Sequence, residues 1–341
     1  MTVDRTLLQE RLVSIVRRFA QRRILVVGDA IADQFVYGGI SRVSREAPVF
    51  IIRHEHTETV PGGAANCAAN LAALGAKVSL VSIAGEDEAG RALVEKLRTA
   101  DVNCDGVITP EVVRTPTKVR ILAGQSHSTR QQVVRIDYEG DYQIDPDWLH
   151  ELRAFVMEQS KDKDAIIISD YNYGLMTPEL IGFIGDVAAH RKIPVLVDSR
   201  FRLLSFSGFT SATPNETEVE QLLAGQGSSL QDLASAGEQL RKSLGYRALL
   251  ITRGGQGMIL LEEGVAPLNL EAIGSHEPVD VTGAGDTVIA TYTLALSSDA
   301  SFPDAARLAN YAGGLVVMKR GTASITSEEL ENSVLHSDAV Y

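Results

Sequence analysis

Cysteine is nearly absent from this chain, which has two among its 341 residues. Cys67 and Cys104 belong to neither a Cys-x-x-Cys pair nor a Cys/His cluster. So few cysteines argue against a disulfide framework and against a structural zinc site. The sequence therefore favours a protein of a reducing compartment.

Long hydrophobic runs are also missing, since no stretch approaches the roughly 20 uncharged apolar residues that a membrane span needs. The N-terminal segment 7–23 has apolar residues at helical spacing, but arginines interrupt it and no small-residue cleavage site follows. We expect it to form a first helix packed on the domain, with a membrane-surface helix as the alternative. The expected location is the cytoplasm.

Positive charge is in deficit, because the formal net charge is −12. This balance argues against a general affinity for nucleic acid or for an anionic membrane, so a local group of Arg and Lys would have to bind any anionic substrate. Apolar residues make up 45% and charged residues 22%. We expect a soluble globular protein with a large core, in one large α/β domain or two smaller ones.

The order of apolar segments predicts an α/β fold. The run 23–28 is typical of a strand buried on both faces, and from residue 164 onward strand and helix patterns alternate. We therefore predict a doubly wound, mostly parallel sheet flanked by helices. Asp170, Asp198 and Arg253 each follow a predicted strand, at the edge where such sheets bind ligands. No G-x-G-x-x-G follows the first strand, which disfavours a nicotinamide dehydrogenase.

Two β-rich segments interrupt this pattern, at 35–60 and 114–139, and together they predict a small β-sheet lid. The α/β body would then comprise 1–34, 61–113 and 140–332, followed by a tail at 333–341. Basic residues cluster in the second lid segment: Lys118, Arg120, Arg130 and Arg135. They would suit a substrate that already carries a phosphate. Solvated edge-strand charges are the alternative explanation.

A glycine-rich segment at 279–290 is the strongest local signal of chemistry. Thr282 is a candidate N-cap for the apolar helix that follows, and the amides of Ala284, Gly285 and Asp286 would face an anion at the helix N-terminus. Asp286 would then take a proton from a hydroxyl while these amides stabilise a phosphoryl group. This pattern suggests a kinase, whereas the alternative is a tight turn with a capping carboxylate.

Three further groups of polar residues fit the same chemistry. Asp29 and Asp33 follow the first strand, and the helix entry at Gly62, Gly63 and Asn66 has the character of a polyol site. The alternatives are a turn cap and a plain glycine-rich helix start.

Asn215 and Glu218 lie three residues apart at a predicted helix start, where oxygen ligands suit Mg²⁺ and its waters, although a capping acid has the same pattern. Asn310 lies among small residues that suit a flat base, but core packing also explains them.

Five motifs in this order resemble the PfkB/ribokinase family of carbohydrate kinases over residues 20–332. They are Gly-Asp at 28–29 with Asp33, Pro-Gly-Gly-Ala-Ala-Asn at 61–66, Thr-Pro-Asn-Glu at 213–216 with Glu218, Thr-Arg-Gly-Gly at 252–255 with Gly257, and Asp-Val-Thr-Gly-Ala-Gly-Asp at 280–286. The resemblance implies a ribokinase-like fold, ATP-dependent phosphorylation of a sugar hydroxyl, and a lid through which such proteins often form homodimers.

The resemblance also implies roles for individual residues. Asp286 matches the catalytic base, and Gly283, Ala284 and Gly285 match the anion hole. Asn215 and Glu218 match positions that organise Mg²⁺, through water, and the ATP phosphates. The sugar-binding positions are matched by Asp29, Asp33, Gly62, Gly63 and Asn66, and we add Lys118, Arg120, Arg135 and Asp170. The nucleotide positions are matched by Thr252, Gly254, Gly257 and Asn310, and we add Asp198 and Arg253. A monovalent cation such as K⁺ would lie near Asp280, Thr282 and Ser324.

Within the family, segments 41–49 and 131–139 look most like the heptose 7-phosphate kinases of lipopolysaccharide-precursor synthesis. That resemblance implies phosphorylation of the anomeric hydroxyl of D-glycero-D-manno-heptose 7-phosphate to the 1,7-bisphosphate, by a kinase domain without a nucleotidyltransferase domain. Tyr173 and Arg200 depart from that subfamily, which usually has Lys at both positions. A kinase for ribose, fructose or a nucleoside remains an alternative, as does a non-catalytic sugar sensor.

Overall fold

The computed structural model describes residues 2–124, 130–139, 142–224, 233–274 and 278–336. A nine-stranded sheet runs through the molecule in the order β13-β12-β11-β10-β9-β8-β1-β4-β5. Its strands are β1 (Arg23–Gly28), β4 (Lys77–Ile83), β5 (Val102–Ile108), β8 (Ala165–Asp170), β9 (Val195–Ser199), β10 (Ser211–Ala212), β11 (Ala248–Thr252), β12 (Met258–Glu262) and β13 (Leu268–Leu270). Neighbours from β5 to β11 pair in parallel, whereas β12 is antiparallel to both of its neighbours.

Helices cover both faces of this sheet. They are α1 (Thr2–Val16), α2 (Ala64–Ala73), α3 (Glu88–Thr99), α4 (Pro146–Gln159), α5 (Pro178–Arg191), α6 (Glu216–Ala224), α7 (Leu233–Leu244), α8 (Ala284–Ser297), α9 (Phe302–Val316) and α10 (Ser327–His336). The residues of β1 alternate between two cores: Ile24 and Val26 pack with α2 and α8, and Leu25 and Val27 pack with α4 and α5. Period-two alternation of apolar side chains is what a strand buried on both faces requires. The predicted doubly wound α/β fold is confirmed.

Local sequence signals explain several helix starts. Thr177 caps α5, since its hydroxyl accepts a hydrogen bond from the Leu180 amide (3.2 Å), and Pro178 occupies the first turn, where no amide hydrogen is needed. The start of α9 is built in the same way, because Ser301 is its capping residue and Pro303 lies in its first turn. These caps fix where each helix begins, and so position the segments that precede them.

The second sheet has four strands in the order β3-β2-β6-β7, and we call it the lid sheet. It is formed by β2 (Ala30–Val43), β3 (Phe50–Gly63), β6 (Thr117–Gly124) and β7 (Gln131–Tyr138). β2 pairs in parallel with β6, and the other pairs are antiparallel. Strands β2 and β3 extend closer to the large sheet than the predicted lid bounds of 35–60. The division of the chain into body and lid stays a prediction.

The first helix ends earlier than the sequence pattern suggested. α1 stops at Val16, and Phe19 is buried in a short 3-10 turn. Arg18 precedes this turn, and its guanidinium donates to the Ser298 carbonyl at the end of α8 (2.6 Å). Within the described ranges, no helix is long and apolar enough to cross a membrane. The predicted tail began at residue 333, but residues 333–336 form the end of α10, where Val334 is buried; the rest of the predicted tail lies outside those ranges.

Candidate active site

The glycine-rich segment forms the start of α8, as predicted. The helix begins at Ala284, and its N-cap is Gly283 rather than the predicted Thr282. Gly283 has φ 76°, a left-handed conformation that a threonine would adopt only with strain, and a Cβ at this position would lie 2.6 Å from the Asn66 amide nitrogen. Thr282 instead donates its backbone amide to Asp280 Oδ1 (2.9 Å). A Cβ on Gly285 would meet no atom within 4 Å, so open space lies in front of this helix end.

Asp286 lies in the first turn of α8 and is 3% exposed. Its Oδ2 accepts a hydrogen bond from Asn66 Nδ2 (2.7 Å), and its Oδ1 accepts one from the Tyr171 hydroxyl (3.0 Å). Burial, followed by the nearby Asp198 carboxylate, raises the pKa of Asp286 to about 7, while the bonds from Asn66 and Tyr171 and the charge of Arg200 oppose this rise. A carboxylate with a pKa near neutrality is suited to accept a proton from a hydroxyl.

Asn66 was predicted to bind sugar, and the structure shows what orients it. Its Oδ1 accepts a hydrogen bond from Asn70 Nδ2 (3.1 Å), and Asn70 Oδ1 in turn accepts one from the Thr287 hydroxyl (2.8 Å). All three side chains are buried. Because these bonds fix which end of the Asn66 amide faces Asp286, the helices α2 and α8 together aim a donor at the carboxylate. Asn70 and Thr287 were not among the predicted site residues.

Of the two aspartates after β1, Asp29 faces the loop after β8. Its carboxylate accepts hydrogen bonds from the backbone amides of Tyr171 (2.8 Å), Tyr173 (3.2 Å) and Leu175 (3.3 Å). Burial and the neighbouring Asp170 raise the pKa of Asp29 to about 6 against these bonds. The structure therefore gives Asp29 a role in holding this loop, and its predicted contact with sugar is not tested.

Asp33 lies on β2 of the lid sheet, is buried, and pairs with a residue of the neighbouring strand β6. Its Oδ1 lies 2.6 Å from Arg120 Nη1, and its Oδ2 lies 3.4 Å from the Thr322 hydroxyl. Gly62 leaves the space for this carboxylate, because a Cβ there would lie 2.8 Å from Asp33 Oδ2. Gly63 ends β3 and is the N-cap of α2, the helix that carries Asn66. The predicted sugar positions Asp33 and Gly62 are thus adjacent, and Gly63 leads from them into the helix that carries Asn66.

The other predicted lid residues differ in their surroundings. Lys118 Nζ lies 5.4 Å from the centre of the Tyr171 ring, and burial lowers the pKa of this lysine. Arg135 lies on the exposed strand β7 and pairs with Asp137 through two contacts of 2.8 Å. Lys118 therefore reaches the body, whereas Arg135 is engaged within its own strand.

The carboxylates after β8 and β9 have different environments. Asp170 is fully buried, and its two oxygens accept hydrogen bonds from Ser199 and Arg202, so the structure does not bring this predicted substrate residue into the cleft. Asp198 is partly exposed, and burial followed by the charge of Glu218 raises its pKa to about 7.

Arg200 follows β9 and reaches the same region. Its Cζ lies 5.2 Å from the centre of the Tyr171 ring, and its charge acts on both Asp198 and Asp286. The guanidinium therefore places positive charge beside two carboxylates at the ligand edge of the sheet.

Asn215 and Glu218 form a reciprocal cap at the start of α6. The Glu218 amide donates to Asn215 Oδ1 (2.9 Å), and the Asn215 amide donates to Glu218 Oε2 (2.9 Å). In the part of the chain that the structure describes, no group of three or more His, Cys, Asp or Glu residues forms a metal site. The residues nonetheless fit a divalent ion held through water, because Glu218 and Asp198 bring carboxylate oxygens together and a cation would relieve their repulsion.

The predicted nucleotide positions lie around the end of β11. Asn215 forms an isolated β-bridge with Thr252, and Arg253 lies 3.6 Å from Glu216. Gly254 begins a short turn that leads to residue 257. Gly257 has a φ of 84°, and a Cβ there would lie 1.9 Å from a backbone carbonyl oxygen. Both features exclude a side chain at this position.

Asn310, on α9, donates its amide to the Glu271 carbonyl (2.6 Å), so it fixes the segment after β13. Thr252 and Gly254 line the same pocket as Asn215. The predicted nucleotide residues thus divide into two groups. Asn215, Thr252 and Gly254 face one pocket, whereas Asn310 is hydrogen-bonded to the backbone of a neighbouring segment.

The three residues predicted near a monovalent cation lie around segment 317–324. Both oxygens of Asp280 accept backbone amides, those of Thr282 (2.9 Å) and Gly321 (3.0 Å). The Ser324 carbonyl accepts a hydrogen bond from Lys319 Nζ (2.8 Å). These contacts tie the segment before α8 to the segment after α9.

Tyr171 is the main site residue that the sequence pattern did not indicate. It lies between Asp170, which was predicted to bind substrate, and Tyr173, which departs from the heptose-kinase pattern, and it contacts Asp286, Lys118 and Arg200. Its position directly after a strand at the ligand edge was the one available signal.

A family model described as pfkB family carbohydrate kinase matches residues 21–329 of the chain. The chain is 41% identical to bifunctional protein HldE of Pectobacterium atrosepticum over 318 residues, which cover 93% of this chain and 64% of that protein. It is 40% identical to the HldE protein of Nitrosococcus oceani over 324 residues, or 94% of this chain and 66% of that one. The chain thus spans less than two thirds of the length of these relatives.

Two solved structures show the same fold. Arabidopsis thaliana ribokinase complexed with ribose and ATP superimposes with a TM-score of 0.70 at 22% identity, covering 93% of this chain and 99% of that chain. Escherichia coli phosphofructokinase-2 in complex with potassium gives a TM-score of 0.76 at 19% identity, covering 92% and 98%. With the family match over most of its length, this chain belongs to the pfkB family of carbohydrate kinases and is an ATP-dependent sugar kinase.

Proposed function

We propose that this kinase phosphorylates a sugar that already carries a phosphate, and specifically the anomeric hydroxyl of D-glycero-D-manno-heptose 7-phosphate. The observation that supports a phosphorylated substrate is a cavity of about 1020 Å³ between the lid sheet and segment 279–322. Arginines line it from several directions: Arg53, Arg120, Arg130 and Arg320. In a chain with a net charge of −12, such a group of arginines marks a local site for an anion.

The pairing of these arginines separates two of them from the rest. Arg120 pairs with Asp33, and Arg130 pairs with Glu55. Within the described part of the chain, neither Arg53 nor Arg320 has an ion-pair partner, and both are exposed. They therefore have donors available for a phosphate at the far end of a sugar whose reacting hydroxyl lies near residue 286. The resemblance of segments 41–49 and 131–139 to heptose 7-phosphate kinases supports a heptose phosphate over other sugars.

In the reaction we propose, Asp286 accepts the proton of the acceptor hydroxyl. The sugar oxygen forms a bond to the γ-phosphorus of ATP, the bond from that phosphorus to the β–γ bridging oxygen breaks, and ADP leaves. The amides at Gly283, Ala284 and Gly285 stabilise charge on the transferred group, because they lie at the positive end of the α8 dipole. The remaining contribution is positioning, which accounts for most of the catalysis in phosphoryl transfer.

Residues around β9 and α6 would hold the metal and the nucleotide. Asn215 and Glu218, with Asp198, would bind Mg²⁺ through its waters, and segment 252–257 would contact ATP. The ion would supply neutralising charge to the phosphates.

Activation by K⁺ near Asp280, Thr282 and Ser324 also stays a prediction. It is supported by the potassium complex of the phosphofructokinase-2 neighbour. Turnover in K⁺ compared with tetramethylammonium would test it, and equal rates in the two salts would contradict it.

The lid sheet also supports a homodimer. Val119, Ile121, Val134 and Ile136 share the face of the lid sheet that is opposite to the side chains of residues 118 and 120, and Val134 and Ile136 are 46% and 40% exposed. A second copy of the chain would cover this apolar face. Sedimentation of the wild type and of Val134→Glu/Ile136→Glu would test it: a monomeric wild type would contradict the proposal. The location in the cytoplasm is likewise a prediction.

The decisive experiment measures ATP-dependent ADP release on heptose 7-phosphate, unphosphorylated heptose, ribose, fructose and adenosine. We expect turnover on heptose 7-phosphate and a phosphate at C1 of the product by ³¹P NMR. Arg53→Ala/Arg320→Ala should raise the KM for heptose 7-phosphate and leave that for unphosphorylated heptose unchanged. Equal KM values for the two heptoses in the wild type would contradict the phosphate site, and turnover on another sugar would replace the substrate. If none of these sugars supports ADP release, the non-catalytic sugar sensor becomes the favoured alternative.

A further inference from the structure

The carboxylate of Asp286 is held at both oxygens by neutral donors from different parts of the chain. Asn66 reaches Oδ2 from α2, and Tyr171 reaches Oδ1 from the loop after β8. A single donor would leave the carboxylate free to rotate about its Cβ–Cγ bond, whereas two donors on two oxygens define its plane. Each oxygen keeps a lone pair for an acceptor hydroxyl.

The backbone of Tyr171 is itself held in place by Asp29. Its backbone amide donates to Asp29 Oδ2 (2.8 Å), and the Tyr173 amide donates to the same oxygen (3.2 Å). Asp29 is 1% exposed, so this anchor belongs to the core of the large sheet. The backbone that carries the phenol is therefore anchored to the core of the body.

Two cations lie over the Tyr171 ring. Lys118 Nζ of the lid sheet is 5.4 Å from the ring centre, and Arg200 Cζ of the body is 5.2 Å from it. Cations at such distances from an aromatic ring are attracted to its face. The ring thus links the lid sheet to the first turn of α8.

We propose that Tyr171 is a positioning residue for the catalytic base, whose hydroxyl orients Asp286 towards the acceptor hydroxyl and whose ring contacts Lys118 of the lid sheet. The proposal rests on the proposed role of Asp286 as base. The other titratable or charged groups that face Asp286 are Cys67 from α2, and Asp198 and Arg200 from the end of β9.

The electrostatics of Tyr171 support a donor role. Burial, and then the charges of Asp286 and Asp198, raise the pKa of Tyr171 well above its usual value. The phenol therefore keeps its proton and donates to Asp286 throughout the range in which the carboxylate titrates. Its bond lowers the pKa of Asp286, against the effect of burial.

The test is Tyr171→Phe, which keeps the ring over which the two cations lie and removes only the hydroxyl. We expect kcat to fall about 10- to 100-fold, the range for a lost hydrogen bond to a charged group, with the KM for the sugar changed less than about threefold. The acid limb of the kcat/KM profile should move to higher pH. The matched control is Tyr292→Phe on the same helix as Asp286, which removes a buried hydroxyl that contacts Ser211 (3.2 Å). If Tyr171→Phe has the kcat and pH profile of this control, the proposal is wrong.

A substrate-free measurement separates this proposal from the proposed function. The carboxyl ¹³C resonance of Asp286, assigned with Asp286→Asn, should titrate at higher pH in Tyr171→Phe than in the wild type. Fluorotyrosine at position 171 makes the phenol a stronger donor and should move the titration to lower pH. An unchanged titration in both variants would overturn the Tyr171 contact even if the wild type is an active kinase. If the wild type phosphorylates no sugar, the proposed function fails, while this titration still reports on the contact.

Discussion

Asp286 is held by neutral donors inside the body, whereas Arg120 and Arg135 of the lid sheet are held by carboxylates. Asp286 is 3% exposed and bonded to Asn66 and Tyr171. The side chain of Arg135 is 50% exposed and that of Arg120 is 11% exposed, and both pair with aspartates. Neutral donors fix the orientation of a carboxylate without neutralising its charge. Ion pairs near water are weak, so a bound phosphate can compete for the arginine.

The difference assigns different tasks to the two regions. The body fixes the orientation and the pKa of Asp286, the proposed base, so removal of the groups that hold it should lower kcat. In the described part of the lid sheet, Arg120 and Arg130 are already paired, whereas Arg53 is not. A phosphorylated sugar would bind Arg53 and would have to join or displace the existing pairs. Loss of lid charges should therefore act mainly on KM. The four predictions below are arranged to test that division.

The largest effect should come from Asp286→Asn. Because the amide cannot accept the proton of the acceptor hydroxyl, kcat should fall by at least about 10²–10⁴-fold, the usual contribution of a general base. Steady-state ADP release measures it, and circular dichroism checks the fold. Asp304→Asn is the matched control, since Asp304 is also buried on a helix but pairs with Arg11 (2.9 Å). Near-normal turnover in Asp286→Asn would remove Asp286 from the role of base.

The next largest effect should come from the lid sheet, in Arg120→Met. The KM for the phosphorylated sugar should rise about 10- to 100-fold, as expected for a lost bond between charged groups, and kcat should change less. Arg42→Met, an exposed change on the same sheet, is the control. The double variant Asp33→Asn/Arg120→Met removes both charges and shows how much of the effect comes from an unpaired Asp33. A fall in kcat with a constant KM would break the division between body and lid.

The pH dependence gives a third test of the body. As the proposed base, Asp286 must be ionised to accept a proton, and its pKa is raised to about 7. A raised pKa means that the carboxylate becomes protonated as pH falls through about 7, so kcat/KM should fall about tenfold per pH unit below that value and level off above it. The measurement is kcat/KM from about pH 5 to about pH 9 at constant ionic strength, a range that brackets this pKa. A profile that stays flat across the acid half of that range would contradict the raised pKa.

The sequence predicted most of the fold because its signals are local. Apolar runs with helix caps between them identify the strands and helices of a doubly wound sheet, and β1 shows the expected alternation between two cores. The bounds of the strand before Thr213 could not be predicted, because β10 has only two residues, Ser211–Ala212, which carry no periodicity. The lid strands extend further than predicted because pairing between β2 and β3 continues from Ala30 to Gly63, through residues whose sequence is that of a turn.

The site was predicted less completely because its contacts are distant in the chain. The glycines and Asp286 formed a recognisable motif, as did Asn66. The bond between Asn66 and Asp286 joins residues 220 positions apart, and the bond between Tyr171 and Asp286 spans 115 positions. No local pattern encodes such a contact. Asp170 was predicted at the ligand edge from its strand position. Only the structure shows that Ser199 and Arg202 donate hydrogen bonds to both of its carboxylate oxygens.

The smallest effect should come from Arg135→Ala. Arg135 was predicted to bind substrate, but in the structure it pairs with Asp137 on an exposed strand. An exposed pair of this kind contributes roughly 0–1 kcal/mol, so the free energy of unfolding and the KM for the sugar should change by no more than about 1 kcal/mol and about threefold respectively. Urea unfolding and steady-state kinetics measure the two, with Arg120→Met as the comparison. A KM increase as large as that of Arg120→Met would show that the phosphorylated sugar draws β7 into the site, and that the charges of the lid sheet act together rather than singly.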